Sequence, residues 1–172
     1  MTIWADGDSL QAELRRLICR RANREAKAAV VAGRPARFRA VFVAARMPPL
    51  DLGPGVKAMD VSKQSEGSGE AKINSEGLAD DRMVASAEPG DLAVTRDMPL
   101  AERLAEKGLR VLNDRGEVFT ADNARERRSL RDRAVELRAL GLVPESPRRS
   151  GWGPRELKAF ADALDREIAK IR

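Results

Sequence analysis

The stretch Thr2-Ile3-Trp4-Ala5-Asp6-Gly7-Asp8-Ser9-Leu10 passes from a short apolar run, through an acid-glycine-acid turn, to the first apolar position of a helix. Leu10, Leu14, Leu17 and Ile18 recur at helical spacing, and Asp8 or Ser9 stands where a helix cap belongs. The reading is strand, tight turn, helix. Residues 39–45, Arg-Ala-Val-Phe-Val-Ala-Ala, are continuously apolar after the first position, as a strand buried on both faces requires, and Pro48 and Pro49 stop the run. Two buried strands joined by a helix make a parallel β-α-β unit.

Working outward, residues 51–76 turn rich in Gly, Ser, Lys and Glu and read as a long loop. Helical character returns over 78–87 and ends at Pro89-Gly90, and 92–95 is a third buried strand. Pro99 opens a helix through Lys107, Gly108 ends it, and 109–112 is a fourth strand. After the turn Asn113-Asp114-Arg115-Gly116 come a long charged helix over 121–140, a linker over 144–153 and a last amphipathic helix to Ile171. The alternation predicts an α/β fold: a mainly parallel sheet of four or more strands flanked by helices, with a helical C-terminal portion. The expected division is an α/β domain over 1–143 and a linker with a helix packed on it over 144–172.

Composition narrows the chemistry. Cys19 is the only cysteine and there is no histidine, which removes intramolecular disulfides, Ser-His and Cys-His nucleophile pairs, and every thiolate- or imidazole-rich metal centre. Catalysis would have to use carboxylates, amines, hydroxyls, or a hard cation such as Mg²⁺ or Mn²⁺ held by oxygen. The net charge of +5 comes from 32 basic and 27 acidic residues spread along the chain, which permits a polyanionic partner without announcing one. Basic clusters at 15–24, 125–133 and 148–149 mix with acids at helical spacing and read first as solvated faces. No apolar run approaches the roughly 20 residues that span a bilayer, so the expectation is a cytoplasmic protein with no membrane contact.

Four acids converge on one edge in this reading. Asp6 and Asp8 lie just past the first strand and Asp97 two residues past the third, at the carboxyl edge where open α/β sheets bind ligands. Asp80, near the start of its helix, reaches the same edge if the helix runs antiparallel to the strands. Taken singly, each acid has a plainer role: Asp8 as a helix cap, Asp80 and Asp81 as first-turn acids, Asp97 as the cap before Pro99. Asp91 precedes the strand that Asp97 follows, and at ~3.3 Å per residue the two stand roughly 20 Å apart. It belongs to the turn entering that strand.

The segments Thr2-Ile3-Trp4-Ala5-Asp6-Gly7-Asp8, Leu78-Ala79-Asp80-Asp81-Arg82-Met83-Val84, Pro89 to Ala101 with its Thr95-Arg96-Asp97-Met98-Pro99-Leu100-Ala101, and Leu112-Asn113-Asp114-Arg115-Gly116 together resemble the YaiI/YqxD family. They match its I-x-V-D-A-D, A-D-x-x-I-V, G-D-x-V-I-T-x-D-I-P-L-A and N-x-R-G patterns in order. That family resembles PIN-domain nucleases in fold and acidic residues. The resemblance runs from Met1 to about Leu140 and is weakest between Gly33 and Glu76. It implies a PIN-like domain over 1–143, with Asp6, Asp8, Asp80 and Asp97 as ligands of Mg²⁺ or Mn²⁺ and Asp6, Asp80, Asp97 and Thr95 as the catalytic set. Two departures stand out: Ser9-Leu10-Gln11 replaces the family's Ala-Cys-Pro, and Ala44-Ala45-Arg46 replaces an Asn-containing segment.

The implied activity is metal-dependent phosphodiester hydrolysis on RNA or single-stranded DNA, with Arg96, Arg125 and Arg131 as candidate phosphate contacts. A haloacid-dehalogenase-like phosphatase with Asp6 as nucleophile is a second reading, weakened because Gly90-Asp91 precedes a strand rather than following one. A PIN-like nucleic-acid or protein binding module without turnover is the third.

Overall fold

The computed structural model describes residues 1–62, 75–142 and 152–170. The elements are β1 (Thr2–Asp6), α1 (Ala12–Val31), β2 (Arg39–Ala44), β3 (Val56–Asp60), α2 (Ser75–Ser86), β4 (Leu92–Val94), α3 (Met98–Glu106), β5 (Arg110–Leu112), β6 (Val118–Phe119), α4 (Ala121–Ala139) and α5 (Pro154–Ala169). They form an α/β fold around a six-stranded sheet of order β3-β2-β1-β4-β5-β6. The pairings are parallel except for β5 with β6, which close a hairpin.

The sheet is covered on both faces, and the period-2 alternation of its strands shows which residue faces which layer. Ile3, Ala5, Ala40, Phe42, Leu92, Val94 and Leu112 pack with Leu14, Ile18 and Ala22 of α1 and Phe160, Leu164 and Ile168 of α5. Trp4, Val41, Val43, Ala93 and Val111 pack with Ala79 and Met83 of α2 and Leu100, Ala101 and Leu104 of α3. Strands buried on both faces explain why β1, β2 and β4 read as unbroken apolar runs. The C-terminal helix α5 completes the first layer, and α4 packs against α3.

Two expectations are corrected, and β6 adds to the four or more strands expected. Residues 51–76 are not a loop throughout: Val56–Asp60 form β3, paired in parallel with β2. As the edge strand it leaves Lys57 and Ala58 exposed, so it carries no apolar alternation to read. The rest of that stretch, 63–74, lies outside the described residues, as does 143–151 of the expected linker. The fourth strand is followed by β6, a partner of only two residues and too short to register as a strand in the sequence. Neither Asp8 nor Ser9 caps α1, which starts later, with Gln11 at the cap position and no side-chain cap.

Candidate functional site

The strand order decides where a site can be. From β1 the chain builds outward through β2 to β3, then crosses to the other side of β1 and builds outward again through β4, β5 and β6. The crevice at the carboxyl ends of β1 and β4 is therefore the point where the winding reverses, the preferred ligand position in open α/β sheets. Asp6 ends β1 there. The register pairs Ala5 with Val94, so Asp6 and Thr95 come opposite each other. Following the alternation, both point to the face covered by α2 and α3, the helices that carry Asp80 and, at the cap position, Asp97.

Asp6 is nearly buried, and its carboxylate is held from two sides. Oδ1 accepts the backbone N–H groups of Asp8 and Ser9, both at 3.1 Å, and Oδ2 accepts the Thr95 hydroxyl at 2.7 Å. Thr95 Oγ1 in turn accepts the Asp97 N–H at 3.0 Å. An ionised carboxylate offers about four acceptor positions, so Asp6 retains roughly one beyond these contacts. The turn that aims it depends on Gly7: the Gly7 N–H donates to Val43 O at 2.8 Å, and a Cβ at Gly7 would come within 2.9 Å of the Ala44 Cβ.

Asp97 caps α3 as the plainer reading had it, with Oδ1 accepting the Leu100 N–H at 3.2 Å. Asp8 is drawn to the neighbouring strand, its Oδ2 accepting from Ala45 N at 2.6 Å and its Oδ1 from Arg46 N at 3.3 Å. It thereby ties the turn after β1 to the loop after β2. Asp80 is different. It lies beyond the first turn of α2, which begins at Ser75, and its side chain makes no hydrogen bond or ion pair among the described residues. Burial, together with the charges of Asp6 and Asp97, pushes its carboxyl from 3.8 up to about 6. These three acids thus share one electrostatic neighbourhood. Among the described residues no three Cys, Asp or Glu side chains are already drawn together as a metal cluster.

Ser9 is the participant that sequence reasoning passed over. Its hydroxyl lies 3.5 Å from Thr95 Oγ1 and accepts the Arg96 N–H at 3.2 Å, joining the β1 turn to the β4 turn. Arg96 pairs with Asp114 at 3.1 Å, so the Arg96 side chain is committed to the β5–β6 turn. The side chains of Arg125 and Arg131 on α4 lie outside the described residues. Asp91 is at the opposite edge, as expected: its carboxylate accepts from Thr2 N at 2.7 Å, Trp4 Nε1 at 2.9 Å and Glu88 N at 3.3 Å. Among the described residues, no helix is long and apolar enough to cross a membrane.

Residues 57–170 match the model of a family described as an uncharacterized BCR, the YaiI/YqxD family. The chain is similar to a UPF0178 protein of Treponema pallidum (strain Nichols), 39% identical over 171 residues, covering 99% of this chain and 83% of that one. It is 35% identical over 170 residues to a UPF0178 protein of Syntrophobacter fumaroxidans, covering 99% and 95%. With a UPF0178 protein of Myxococcus xanthus it shares 36% identity over 171 residues, covering 99% and 96%. No solved structure matches the chain.

Proposed function

The chain belongs to the YaiI/YqxD family, and from that premise we propose that it is a PIN-like, metal-dependent nuclease acting on RNA or single-stranded DNA. The observation that carries the reading is the meeting of Asp6 and the Thr95–Asp97 turn at the reversal point of the sheet, on the face that α2 with Asp80 covers. Nothing in the packing of the core calls for three carboxylates there. Asp91 at the other edge, by contrast, accepts N–H groups of its own surroundings on both carboxylate oxygens.

A hard divalent cation fits the donor chemistry. The available groups are carboxylate oxygens, with no imidazole in the chain, and Asp80 lacks a counter-charge at hydrogen-bond distance among the described residues. The fit rests on donor type and placement, because the side chains do not form a ready-made cluster. Asp6, Asp80 and Asp97 would hold Mg²⁺ or Mn²⁺, which when bound supplies Lewis-acid stabilisation of charge developing on phosphate oxygens. Thr95 acts as a positioning residue: its hydroxyl fixes the Asp6 Oδ2 and its oxygen receives the Asp97 N–H, so one side chain sets the relation of two acids. Asp8 holds the floor of the crevice by bridging the turns after β1 and β2.

The phosphatase reading needs a second acidic motif near Asp6, and Asp91 sits at the wrong edge with its oxygens occupied. The deciding experiment is cleavage of a labelled single-stranded RNA, with a single-stranded DNA in parallel, in Mn²⁺ and in chelator. Metal-dependent cleavage that disappears in Asp6→Asn and Asp97→Asn supports the proposal. Wild-type protein that binds the strand equally in chelator and in Mn²⁺ and never cuts it would identify a binding module instead.

A further inference from the structure

Helix α1 leads away from the acidic edge, and its outer face carries Arg16, Arg20, Arg24 and Lys27, all exposed. At about 100° per residue these four positions fall within roughly 80° of one another, a single stripe on the helix. Other basic side chains nearby are committed: Arg21 to Asp165 at 2.6 Å, and Arg34 and Arg37 to the buried Glu25. The four stripe residues have no ion-pair or hydrogen-bond partner among the described residues.

Arg20, Arg24 and Lys27 of the stripe form one wall of a groove of about 650 Å³, whose opposite wall is formed by Asp51, Gly53 and Pro54. The groove is built rather than incidental. Asn23 Nδ2 donates to Asp51 O at 3.2 Å and the Gly55 N–H donates to Asn23 Oδ1 at 3.0 Å, fastening the loop to the helix. The loop lies so close that a Cβ on Gly55 would stand 2.1 Å from Ala22 O. Asp51 is the one acid among the lining residues.

We propose that this stripe and groove bind the phosphate backbone of single-stranded nucleic acid, guiding a strand along α1 from the carboxyl end of the sheet towards its amino end. Charge complementarity argues for that occupant: a row of unpaired cations, three of which line a groove with no exposed aromatic on it. Neighbours four apart on the helix are ~6 Å apart along its axis, and the whole stripe extends ~16 Å, which suits successive phosphates of a stretched strand. The aromatics offer no alternative mode. Trp4, Phe38, Phe42, Phe119 and Phe160 are buried, and Trp152 is partly covered with its Nε1 donating to Asp114 O. Affinity must then come from phosphate contacts, with little base preference and a steep salt dependence.

This surface extends the nuclease reading, but its test does not depend on turnover. Fluorescence anisotropy with a labelled oligo(U) or oligo(dT) in chelator, across a salt series, measures binding alone. Arg20→Gln combined with Arg24→Gln should weaken binding about tenfold or more and reduce the slope of log affinity against log salt by about 1.4, two single-strand phosphate contacts at ~0.7 each. Asp51→Asn should tighten binding by a few-fold, because it removes the one acid that lines the groove. An unchanged melt by circular dichroism establishes that the double variant is folded. Wild-type affinity and slope in the double variant would overturn the proposal, as would a loss seen only in Arg125→Glu with Arg131→Glu. Binding that follows the stripe without any cleavage in Mn²⁺ would leave this surface standing while the nuclease reading falls.

Discussion

Strands β1 and β4 lie side by side, and their two ends use aspartate in opposite ways. At the amino end Asp91 gives its oxygens to Thr2 N, Trp4 Nε1 and Glu88 N, and thereby locks the entry of β4 to the start of β1. At the carboxyl end Asp6, Asp80 and Asp97 crowd like charges together, and Asp80 is left without a partner among the described residues and with its carboxyl lifted to about 6. One end uses a negative charge to satisfy buried donors. The other concentrates negative charge beyond what local donors require, which stabilises the fold less and leaves oxygen atoms free for a ligand. Under the proposed function, the difference separates an acid that only holds the fold from acids that would also serve a site.

Substitutions should expose that contrast. Asp91→Ala orphans the buried Trp4 and Thr2 donors and should cost about 3 kcal/mol, a drop on the order of 10 °C in Tm by differential scanning calorimetry. Asp6→Asn should melt at or above wild type in metal-free buffer, since an amide keeps an acceptor for Asp8 and Ser9 while removing a repelling charge. Equal losses in the two variants would erase the distinction between the ends.

Cation binding is the next largest effect. With Mn²⁺ at a hundred times its Kd, wild type should gain about 2.7 kcal/mol of stability, and Asp6→Asn and Asp97→Asn should gain little. A thermal shift of the same size in all three proteins would assign the cation elsewhere.

Smaller effects follow from pH, with opposite signs for two acids, the buried Glu25 and the partly buried Asp80. Glu25, clasped by Arg34 and Arg37, has its carboxyl lowered from 4.5 to about 2. The unfolded chain takes up that proton first as the pH falls, so this contribution is complete above about pH 4.5 and disappears towards pH 2. Asp80 behaves in reverse: the folded chain keeps its proton up to about pH 6 while the unfolded chain loses it near 3.8, so stability declines as pH rises through that window. Urea unfolding across pH should show Glu25→Gln losing about 1–3 kcal/mol at neutral pH and the acid-side slope with it. Asp80→Asn should flatten the decline between about pH 4 and 6 and raise Tm modestly at pH 7. A steeper decline in that variant would mean that Asp80 does not face Asp6 and Asp97.

Much of this organisation was legible in the chain because it is local. Buried parallel strands announce themselves as apolar runs, and a parallel sheet puts every carboxyl end on one edge, so the sequence alone assigns Asp6 and Asp97 to a common edge and Asp91 to the other. Thr95 was identifiable as a strand-end hydroxyl, although its pairing with Asp6 depends on register. What stayed hidden depends on tertiary partners. β3 has sheet on one side only, so exposed Lys57 and Ala58 interrupt its pattern. Asp8 looked like a helix cap because its partners, Ala45 and Arg46, are 37 and 38 residues away. Arg96 looked free because its partner Asp114 arrives with the β5–β6 turn. The α1 stripe was masked in sequence by the paired Arg21, which sits among the unpaired arginines and off their face.

Whether the carboxyl-edge acids form the proposed divalent cation site is decided by anomalous diffraction from a crystal soaked in Mn²⁺. The expected result is a manganese peak bounded by the carboxylates of Asp6, Asp80 and Asp97, close to Thr95, with no peak at Asp91. A crystal that takes up manganese only at other surface acids, or that shows Asp6 and Asp97 directed away from each other with no peak between them at saturating Mn²⁺, would contradict it.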